Sequence, residues 1–495
     1  MAVVKVVDFI QQSIIYVYTI LVGITLFSAI QLNQYIFGAT GLSVAIIIGV
    51  AIAITLIFKI EYLHKNVKNF FNKYAFSIAV ILFCLAIIWQ FVISISSSTP
   101  IGFDVGGIFG TAKNPEAAGD YFSNYPNNLA LLLVFRKIEL MGLLTWKGLA
   151  LITAVLVSLS AILNLVTVYF IDKKKITALM YIESFWLIFY PMVIVPYSDS
   201  WVLPLVSLYL LGYFGARSVK NYFFKILLAI VMGCNVVLAY YIKPSSIIPI
   251  IAIAIIYFLN LLKNKFRISP VKLITVLMFF GTLFCTSTLV KNVQNNQEFI
   301  QVDNRKAFPP LHFIAMGLSE NGGFYVDDVL DMQSAKNVNE RKKISLEKIK
   351  NRFVDRGVLG YIKFIYRKHT LNTADGSFGW LKEGNFIVAN AKNSGISGMI
   401  QNFIYPDGKH LGDFFLLAQL WWCMWLSLLA FGYKEKSESA NILRLAVIGG
   451  MAFLLIFEGG RSRYLIQFIP VLLILATLLS SSSVITIKRI IKSLC

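Results

Sequence analysis

Long apolar runs alternate with short polar connections along most of the 495-residue chain. Each run is about 20 residues long, which is the length that a helix needs to cross a hydrocarbon core of about 30 Å. The pattern predicts an all-α, multispan membrane protein. We expect about twelve spanning helices, near residues 13–34, 41–59, 75–96, 147–171, 176–196, 201–216, 223–242, 245–262, 270–290, 411–432, 441–457 and 464–483.

Two segments interrupt this pattern. Segment 128–144 is apolar but short and contains Arg136, Lys137 and Glu139, so we expect a shallow interfacial helix on the outer side. Residues 291–410 contain no convincing span and predict a large extracytoplasmic segment. Within it, residues 345–369 have the spacing of a helix that rests on the membrane interface, although an ordinary amphipathic helix packed on its own domain fits as well.

The chain therefore divides into four parts. Residues 1–74 predict an N-terminal transmembrane hairpin, and residues 75–290 predict a transmembrane core that carries a first external loop at 96–146. The external segment 291–410 follows, and residues 411–495 supply the C-terminal helices. The first two helices precede the first polar external loop and look like an N-terminal addition.

Composition and charge agree with this class. A mean hydropathy of +0.72 lies outside the range of soluble domains. Lys and Arg together number 45 against 25 Asp and Glu. Most of this excess lies in alternate short connections, which predicts that these connections and both termini are cytoplasmic. The basic excess is thus explained by orientation and by anionic lipid, and no nucleic-acid partner is needed.

The cysteines and the N-terminus add little. Of the five cysteines, four lie inside apolar runs and the fifth is Cys495, with no Cys-x-x-Cys pair or Cys/His cluster. Neither a disulfide framework nor a metal site is indicated, although a divalent metal remains possible. The first apolar run lacks a small-residue cleavage site and is interpreted as a retained anchor.

Polar residues gather in five clusters that the predicted topology assigns to the outer face. A single cluster of this kind is more often a solvated turn than a site, but ionisable groups at a membrane boundary tend to mark function. The clusters are the loop 96–128, which contains Asp104, Glu116 and Asp120; the turn 196–200 with Asp199; the junction 240–246 with Lys243; the segment 308–323 with His312; and the turn 458–464 with Arg461 and Arg463.

These residue types suit a definite chemistry. A carboxylate such as Asp104 can act as a general base toward a hydroxyl nucleophile. Cations such as Lys243, Arg461 and Arg463 suit a phosphate at the depth of the lipid headgroups, because arginine can contact two oxygens at once and lysine supplies a point charge.

The same residues give the chain a resemblance to a known family. It resembles the GT-C superfamily of integral membrane glycosyltransferases, which includes protein O-mannosyltransferases and the aminoarabinose transferase of lipid A. More narrowly, it is similar to multispan glycosyltransferase-like proteins of Gram-positive bacteria. The likeness covers most of residues 75–485 and is carried by Asp104, Ala112 and Tyr121 ahead of Tyr125-Pro126-Asn127-Asn128, by Tyr197-Ser198-Asp199, by Lys243-Pro244, by Pro310-x-His312-x-x-x-Met316-Gly317-Leu318 with Gly322-Gly323, and by Arg461-Ser462-Arg463-Tyr464.

The resemblance implies a membrane enzyme that transfers a sugar from a polyprenyl-phosphate donor to a glycan or polymer acceptor on the extracytoplasmic face, without a cofactor. Carried onto this sequence, Asp104 is the candidate base, and Lys243, Arg461 and Arg463 are the candidate phosphate ligands. Further candidates for sugar or acceptor contacts are Asp199, Tyr121, His312 and Asp120.

One departure from the family pattern leaves the base open. Protein O-mannosyltransferases have Glu directly after the catalytic Asp, whereas Asp104 is followed by Val105. Glu116 or Asp120 is therefore an alternative base.

Two other functions also remain open. A polysaccharide polymerase or ligase would use similar residue types. A lipid-linked oligosaccharide flippase would instead need ionisable residues deep inside the spans, where this sequence has few.

Overall fold

A computed structural model describes residues 2–32, 38–264, 269–382 and 386–494. The protein is 81% helical, and its described residues contain no β-strand beyond one antiparallel bridge between Ile101 and Ile387. The predicted all-α fold is therefore confirmed. In chain order the α-helices are α1 (Ala2–Gln31), α2 (Gly41–Lys59), α3 (Glu61–Ser97), α4 (Phe103–Lys113), α5 (Tyr121–Asn124), α6 (Leu129–Leu140), α7 (Trp146–Asp172), α8 (Ile176–Ile188), α9 (Ser198–Trp201), α10 (Leu203–Ser218), α11 (Tyr222–Ile242), α12 (Ile248–Lys263), α13 (Pro270–Asn295), α14 (Pro310–Gly317), α15 (Val326–Ser334), α16 (Val338–Thr373), α17 (Gly395–Ile404), α18 (Leu411–Ala430), α19 (Glu438–Ile456) and α20 (Ile469–Leu494).

Ten helical segments of the described chain are long and apolar enough to cross a membrane. One of them, Trp146–Ile188, contains both α7 and α8, which fold back on each other at Lys173–Lys175. The side chain of Asn164 in α7 donates a 2.9 Å hydrogen bond to Glu183 in α8, as an antiparallel hairpin requires. Counting α7 and α8 separately and adding α10, which has only 16 residues, gives the twelve helices that the sequence predicts.

Several predicted boundaries differ from the structure. The connection after α2 is a single residue, Ile60, because α3 begins at Glu61 and runs for 37 residues. Its first residues are rich in Lys, Glu and Asn, and helices readily continue through such sequence outside the hydrocarbon core. The two N-terminal helices also behave differently. Helix α1 packs against α18 and α19 and buries Tyr18, whereas α2 exposes most of its side chains.

The bundle has two ends of different character. At one end, here called the basic end, the connections carry most of the lysines of the short loops, such as Lys173–Lys175. Exposed ion pairs join neighbouring helices there, namely Arg217–Glu438 and Lys263–Asp8. At the opposite end, here called the site end, α3, α11 and α19 finish and α12 and α20 begin. Segments 98–145, 296–382 and 386–410 lie against the site end.

The irregular segments at the site end contain short helices. Helix α6 covers 12 residues, or about 18 Å, which is too short to cross the bilayer and agrees with the prediction for 128–144. Helix α16 is interrupted at Gly357, where φ is 58°. After this break, Val358 and Leu359 are 79% and 77% exposed, so an apolar face remains on the helix surface.

The junction between α8 and α10 positions the candidate site. Helix α8 ends at Ile188, before the predicted span end at 196, and its 13 residues cover only about 20 Å. The chain from Tyr190 to Leu203 contains one 3₁₀ turn and the four-residue α9, and all of it is buried. Irregular backbone at membrane depth is stable only when protein surrounds it. The predicted surface turn at 196–200 therefore lies inside the bundle.

Candidate functional site

Asp104 lies in the first turn of α4 at the site end. The chain enters this helix from Gly102, whose N–H donates to the Phe386 carbonyl over 2.9 Å, and through Phe103, whose φ is 55°. The Tyr197 hydroxyl donates to Asp104 Oδ2 over 3.1 Å. The carboxylate is otherwise exposed and borders a cavity of about 280 Å³ that Tyr121 also lines. Asp104 is thus oriented by protein and open to a ligand.

Tyr121 stands beside this carboxylate. Its hydroxyl accepts a 2.6 Å hydrogen bond from the Asn128 side chain. Burial and the charge of Asp104 together raise the pKa of Tyr121 well above its ordinary value, so the phenol stays protonated. A protonated phenol next to Asp104 can donate a hydrogen bond to it or to a bound hydroxyl.

A second carboxylate, Asp199, holds two cations deeper in the bundle. Lys243 Nζ lies 2.5 Å from Asp199 Oδ1, and Arg463 Nε lies 3.3 Å from Oδ2. The side chains are 4% exposed for Asp199, 12% for Lys243 and 18% for Arg463. Three residues, from α9, the end of α11 and the turn before α20, therefore form one cluster with little solvent exposure and an excess of one positive charge.

Aromatic rings connect this cluster to Asp104 and to Glu458. The Arg463 guanidinium lies 5.5 Å from the ring centres of both Tyr197 and Tyr464, and Lys243 Nζ lies 5.0 Å from that of Tyr464. The Tyr464 hydroxyl donates to Glu458 over 3.0 Å. Burial raises the pKa of Glu458. An unbroken series of contacts thus runs from Asp104 through Tyr197, Arg463 and Tyr464 to Glu458.

The turn 457–463 is fixed from both sides. Gly459 N–H donates to the Gly322 carbonyl over 2.8 Å, and Arg461 N–H donates to the Asn372 side chain over 3.3 Å. Gly460 has φ 67°, a left-handed conformation that favours glycine. Helix α14 approaches so closely that a Cβ on Gly317 would lie 2.6 Å from the carbonyls of Ile456 and Phe457. The clusters around 458–464 and 308–323 therefore meet in space.

Three of the predicted site residues lie elsewhere. Asp120 is exposed and pairs with Lys306 over 2.8 Å, and Glu116 is also exposed. His312 is buried against Phe308 and Phe313, and burial lowers its pKa to about 4. Among the described residues, no hydrogen bond or ion pair joins these three side chains to Asp104 or Asp199. Of the three loop acids, Asp104 is the one in contact with the cluster.

The sequence interpretation missed a buried stretch at 372–380, which Leu381 and Lys382 follow at the surface. Asp375 accepts hydrogen bonds from the Ser462 hydroxyl at 3.0 Å and from Gly379 N–H at 2.8 Å, and Lys382 Nζ lies 3.3 Å away. Burial raises the pKa of Asp375 and lowers that of Lys382 to about 7. Because Ser462 stands between Arg461 and Arg463, its hydrogen bond to Asp375 anchors the backbone from which both arginines extend.

A signal for this loop was present in the sequence. Residues 374–380 read Ala-Asp-Gly-Ser-Phe-Gly-Trp, a polar and glycine-rich stretch inside segment 291–410. Phe378 adopts a φ of 53°, and Leu381 adopts a φ of 55°. Strained backbone of this kind costs about 1–3 kcal/mol per residue and persists where surrounding contacts enforce it, often at functional sites.

Lys368 in α16 supports the same region. Its side chain is fully buried, and Nζ donates to the carbonyls of Gly317 at 2.6 Å, Phe457 at 2.7 Å and Leu455 at 2.9 Å. The amine thereby ties α16 to the ends of α14 and α19. In the described part of the chain, no group of three or more His, Cys, Asp or Glu residues is arranged to hold a metal ion.

The helix bundle and its site define a multispan, all-α integral membrane protein with an ionisable cluster at one end. A family model described as a conserved hypothetical integral membrane protein matches residues 6–484, and the chain belongs to this family. No curated protein and no solved structure matches the chain. The family confirms the membrane class that the sequence predicts, and the likeness to glycosyltransferases stays a prediction.

Proposed function

We propose that this protein is a membrane glycosyltransferase that transfers a sugar from a polyprenyl-phosphate donor to a hydroxyl of a cell-wall glycan, teichoic acid or similar polymer. The observation that carries the proposal is the series of contacts from Asp104 through Tyr197 to Arg463, Asp199 and Lys243. It joins a carboxylate that faces a cavity to cations suited to a phosphate.

Asp104 is the proposed general base. The acceptor hydroxyl gives its proton to the Asp104 carboxylate as its oxygen bonds to the anomeric carbon of the sugar. The bond from that carbon to the lipid phosphate breaks at the same time, and the phosphate leaves with the electron pair. Tyr197 holds one carboxylate oxygen at 3.1 Å, which fixes the direction of the base.

The cations stabilise the leaving phosphate. Asp199 holds Lys243 and Arg463 in position but neutralises only one of their two charges, so this cluster keeps a positive balance. Arg461, two residues before Arg463, adds a positive charge that interacts with the carboxyl group of Glu458. Fixed positive charge near a developing anion stabilises the transition state most where water is excluded. This role differs from the direct sugar contact that the resemblance implies for Asp199.

An apolar feature at the cavity suits a lipid-linked donor. Phe103, directly before Asp104, is 68% exposed and lines the same cavity. Exposed apolar side chains at a site are suited to contact with a prenyl chain or with bilayer lipid. The concentration of lysines at the basic end favours a cytoplasmic position for that end, which would make the site extracytoplasmic.

The direct test is sugar transfer by purified protein in nanodiscs. We would measure transfer from polyprenyl-phosphate sugars to wall polymer and compare Asp104→Asn with the control Glu116→Gln, and include Asp120→Asn as a test of the alternative base. Loss of a general base should lower the rate by about 10²–10⁴-fold. The control should retain transfer, because the Glu116 side chain is exposed and forms no hydrogen bond or ion pair with the cluster among the described residues.

Other outcomes would change the proposal. Full activity of Asp104→Asn contradicts the role of Asp104, and loss in Asp120→Asn alone moves the base there. Growth in polymer length instead of addition of a monosaccharide indicates a polymerase or ligase. Movement of a lipid-linked oligosaccharide across the bilayer without any transfer indicates a flippase. Glycan composition of cells with and without the protein provides an independent measurement.

A further inference from the structure

A second cavity, of about 880 Å³, lies on the other side of the turn 120–124 from Asp104. Its walls are this turn, the segment 303–306 and the start of α16 with the residues before it, 333–341. A volume of this size falls within the usual range of ligand pockets. The lining contrasts with that of the smaller cavity, because most of it is polar or charged.

The charge of this cavity is positive. Four cations, Arg305, Lys306, Lys336 and Arg341, line it together with two carboxylates. Asp303 pairs with Arg305, and Asp120 pairs with Lys306. Among the described residues, Lys336 and Arg341 form no ion pair, although the Glu340 carboxylate accepts a hydrogen bond from the Lys336 backbone N–H over 2.7 Å; the lining itself holds two cations beyond the two ion pairs.

The start of α16 adds to this positive field. Arg341 is 6% exposed and is held rigidly, since its guanidinium donates to the backbone carbonyls of Met332 and Lys306. Helix α16 begins at Val338, and the N-terminal end of a helix carries a partial positive charge. The start of α16 therefore gives the cavity wall a fixed cation, Arg341, while the carboxylate of Glu340 in the first turn of α16 offsets part of the helix-end charge.

Asn124 supplies an independent indication of a ligand. Its residue is 7% exposed and lines the cavity, yet its side-chain amide makes no hydrogen bond to any described residue. The amide faces the cavity and is available to a hydrogen-bonding group that occupies it. A hydroxyl or phosphate oxygen in the cavity would satisfy it.

The two cavities are separated by a single turn. Asp120 and Asn124 line the large one, and the neighbouring Tyr121 lines the small one beside Asp104. A chain-like ligand held in the large cavity can extend across this turn to the base. The geometry points to the large cavity as the binding site of the acceptor, a hydroxyl-rich polymer whose repeating units carry phosphate. The identification of the ligand as the acceptor rests on the proposed function. The binding of a phosphate-bearing polymer in this cavity does not.

The test is binding of a labelled, short glycerol phosphate oligomer to the protein in nanodiscs, followed by fluorescence anisotropy. Lys336→Glu replaces a cation outside the two ion pairs with an anion and should weaken binding about ten-fold or more. Asn124→Ala should weaken it about three-fold or more. The matched control is Lys343→Glu, an equally exposed lysine of α16 outside the cavity, which should bind as the wild type does.

Several outcomes would overturn the inference. Equal binding by Lys336→Glu and Lys343→Glu means that the oligomer responds only to overall charge. A neutral maltooligosaccharide that binds as tightly as the glycerol phosphate oligomer removes the assignment of an anionic ligand. Failure of the proposed function is recognised separately. In that case the wild type binds the oligomer and Lys336→Glu does not, but the wild type transfers no sugar from any donor.

Discussion

The two ends of the helix bundle use charge in opposite ways. At the basic end, the paired side chains are open to solvent, with 41% and 36% exposure in Arg217–Glu438 and 40% and 54% in Lys263–Asp8. At the site end, Asp199 and Lys243 form a pair of the same residue types that is 4% and 12% exposed. The same type of ion pair is solvated at the basic end and enclosed by protein at the site end.

This difference separates orientation from function. Exposed charges in short loops cost little and record which side of the membrane a loop occupies. Enclosed charges carry a large desolvation cost, which protein tolerates when partners satisfy them and which commonly marks a functional region. The exposed charges of the basic end thus indicate the orientation of the protein in the membrane, and the enclosed charges of the site end indicate where its chemistry takes place.

The largest expected difference between the ends is accessibility from outside the cell. In a background without the five native cysteines, Glu116→Cys at the site end and Lys174→Cys at the basic end would be treated with a membrane-impermeant maleimide. We expect intact cells to label Glu116→Cys and to leave Lys174→Cys unlabelled until they are permeabilised, because basic loops stay cytoplasmic. The reverse labelling pattern would contradict the predicted orientation and would place the site end on the cytoplasmic side.

The next largest effect is on stability. Asp199→Ala leaves Lys243 and Arg463 enclosed without their carboxylate, so the free energy of unfolding should fall by about 3–5 kcal/mol. Asp8→Ala removes an equivalent partner at the basic end and should cost at most about 1 kcal/mol. Denaturant unfolding in detergent micelles measures both. Equal costs at the two ends would contradict the contrast between enclosed and solvated pairs.

A smaller effect concerns pH and Lys368. Burial lowers the pKa of this amine to about 7, whereas in the unfolded chain it regains its ordinary, higher value. Between these two values the unfolded chain binds a proton that the folded protein lacks. The free energy of unfolding should therefore rise with pH above about 7, by at most about 1.4 kcal/mol per pH unit from this group.

The variant Lys368→Met checks this slope. It should flatten the rise in stability between pH 7 and 9, in addition to lowering stability at every pH through the loss of its hydrogen bonds to three carbonyls. Lys363→Met, on the exposed side of the same helix, should keep the wild-type slope. Identical slopes in all three proteins would show that Lys368 is not the group responsible.

Much of the fold could be predicted from hydropathy. Helix α2 has the predicted bounds, and α11 differs from its prediction by one residue, because a lipid environment demands an uninterrupted apolar stretch. Where the helix continues outside the hydrocarbon core, hydropathy gives no boundary, and α3 was predicted to start 14 residues too late, at 75 instead of 61. Hydropathy also could not separate the packed α1 from the exposed α2, since both are apolar throughout.

The candidate site could be predicted only in part. The residue types of Asp104, Lys243 and Arg463 singled them out, but their partners depend on contacts across the bundle, such as Lys243 with Asp199 and Ser462 with Asp375. Such pairs cannot be predicted from the sequence, because the two residues are far apart along the chain. Asp120 and His312 lie away from Asp104, paired with Lys306 and packed against Phe308, because residue type in the right loop does not determine the direction of a side chain.

The short helices α8 and α10 have a consequence for topology. Helix α8 begins at the basic end, and α10 ends there. The chain therefore leaves the basic end through α8 and returns to it through α10. If α8 and α10 each cross the membrane, the chain has two more crossings than if the pair enters and leaves on the same side. The number of crossings is even in both cases. We therefore expect the two chain termini on the same side of the membrane under either count, and a tag at each end should report the same compartment.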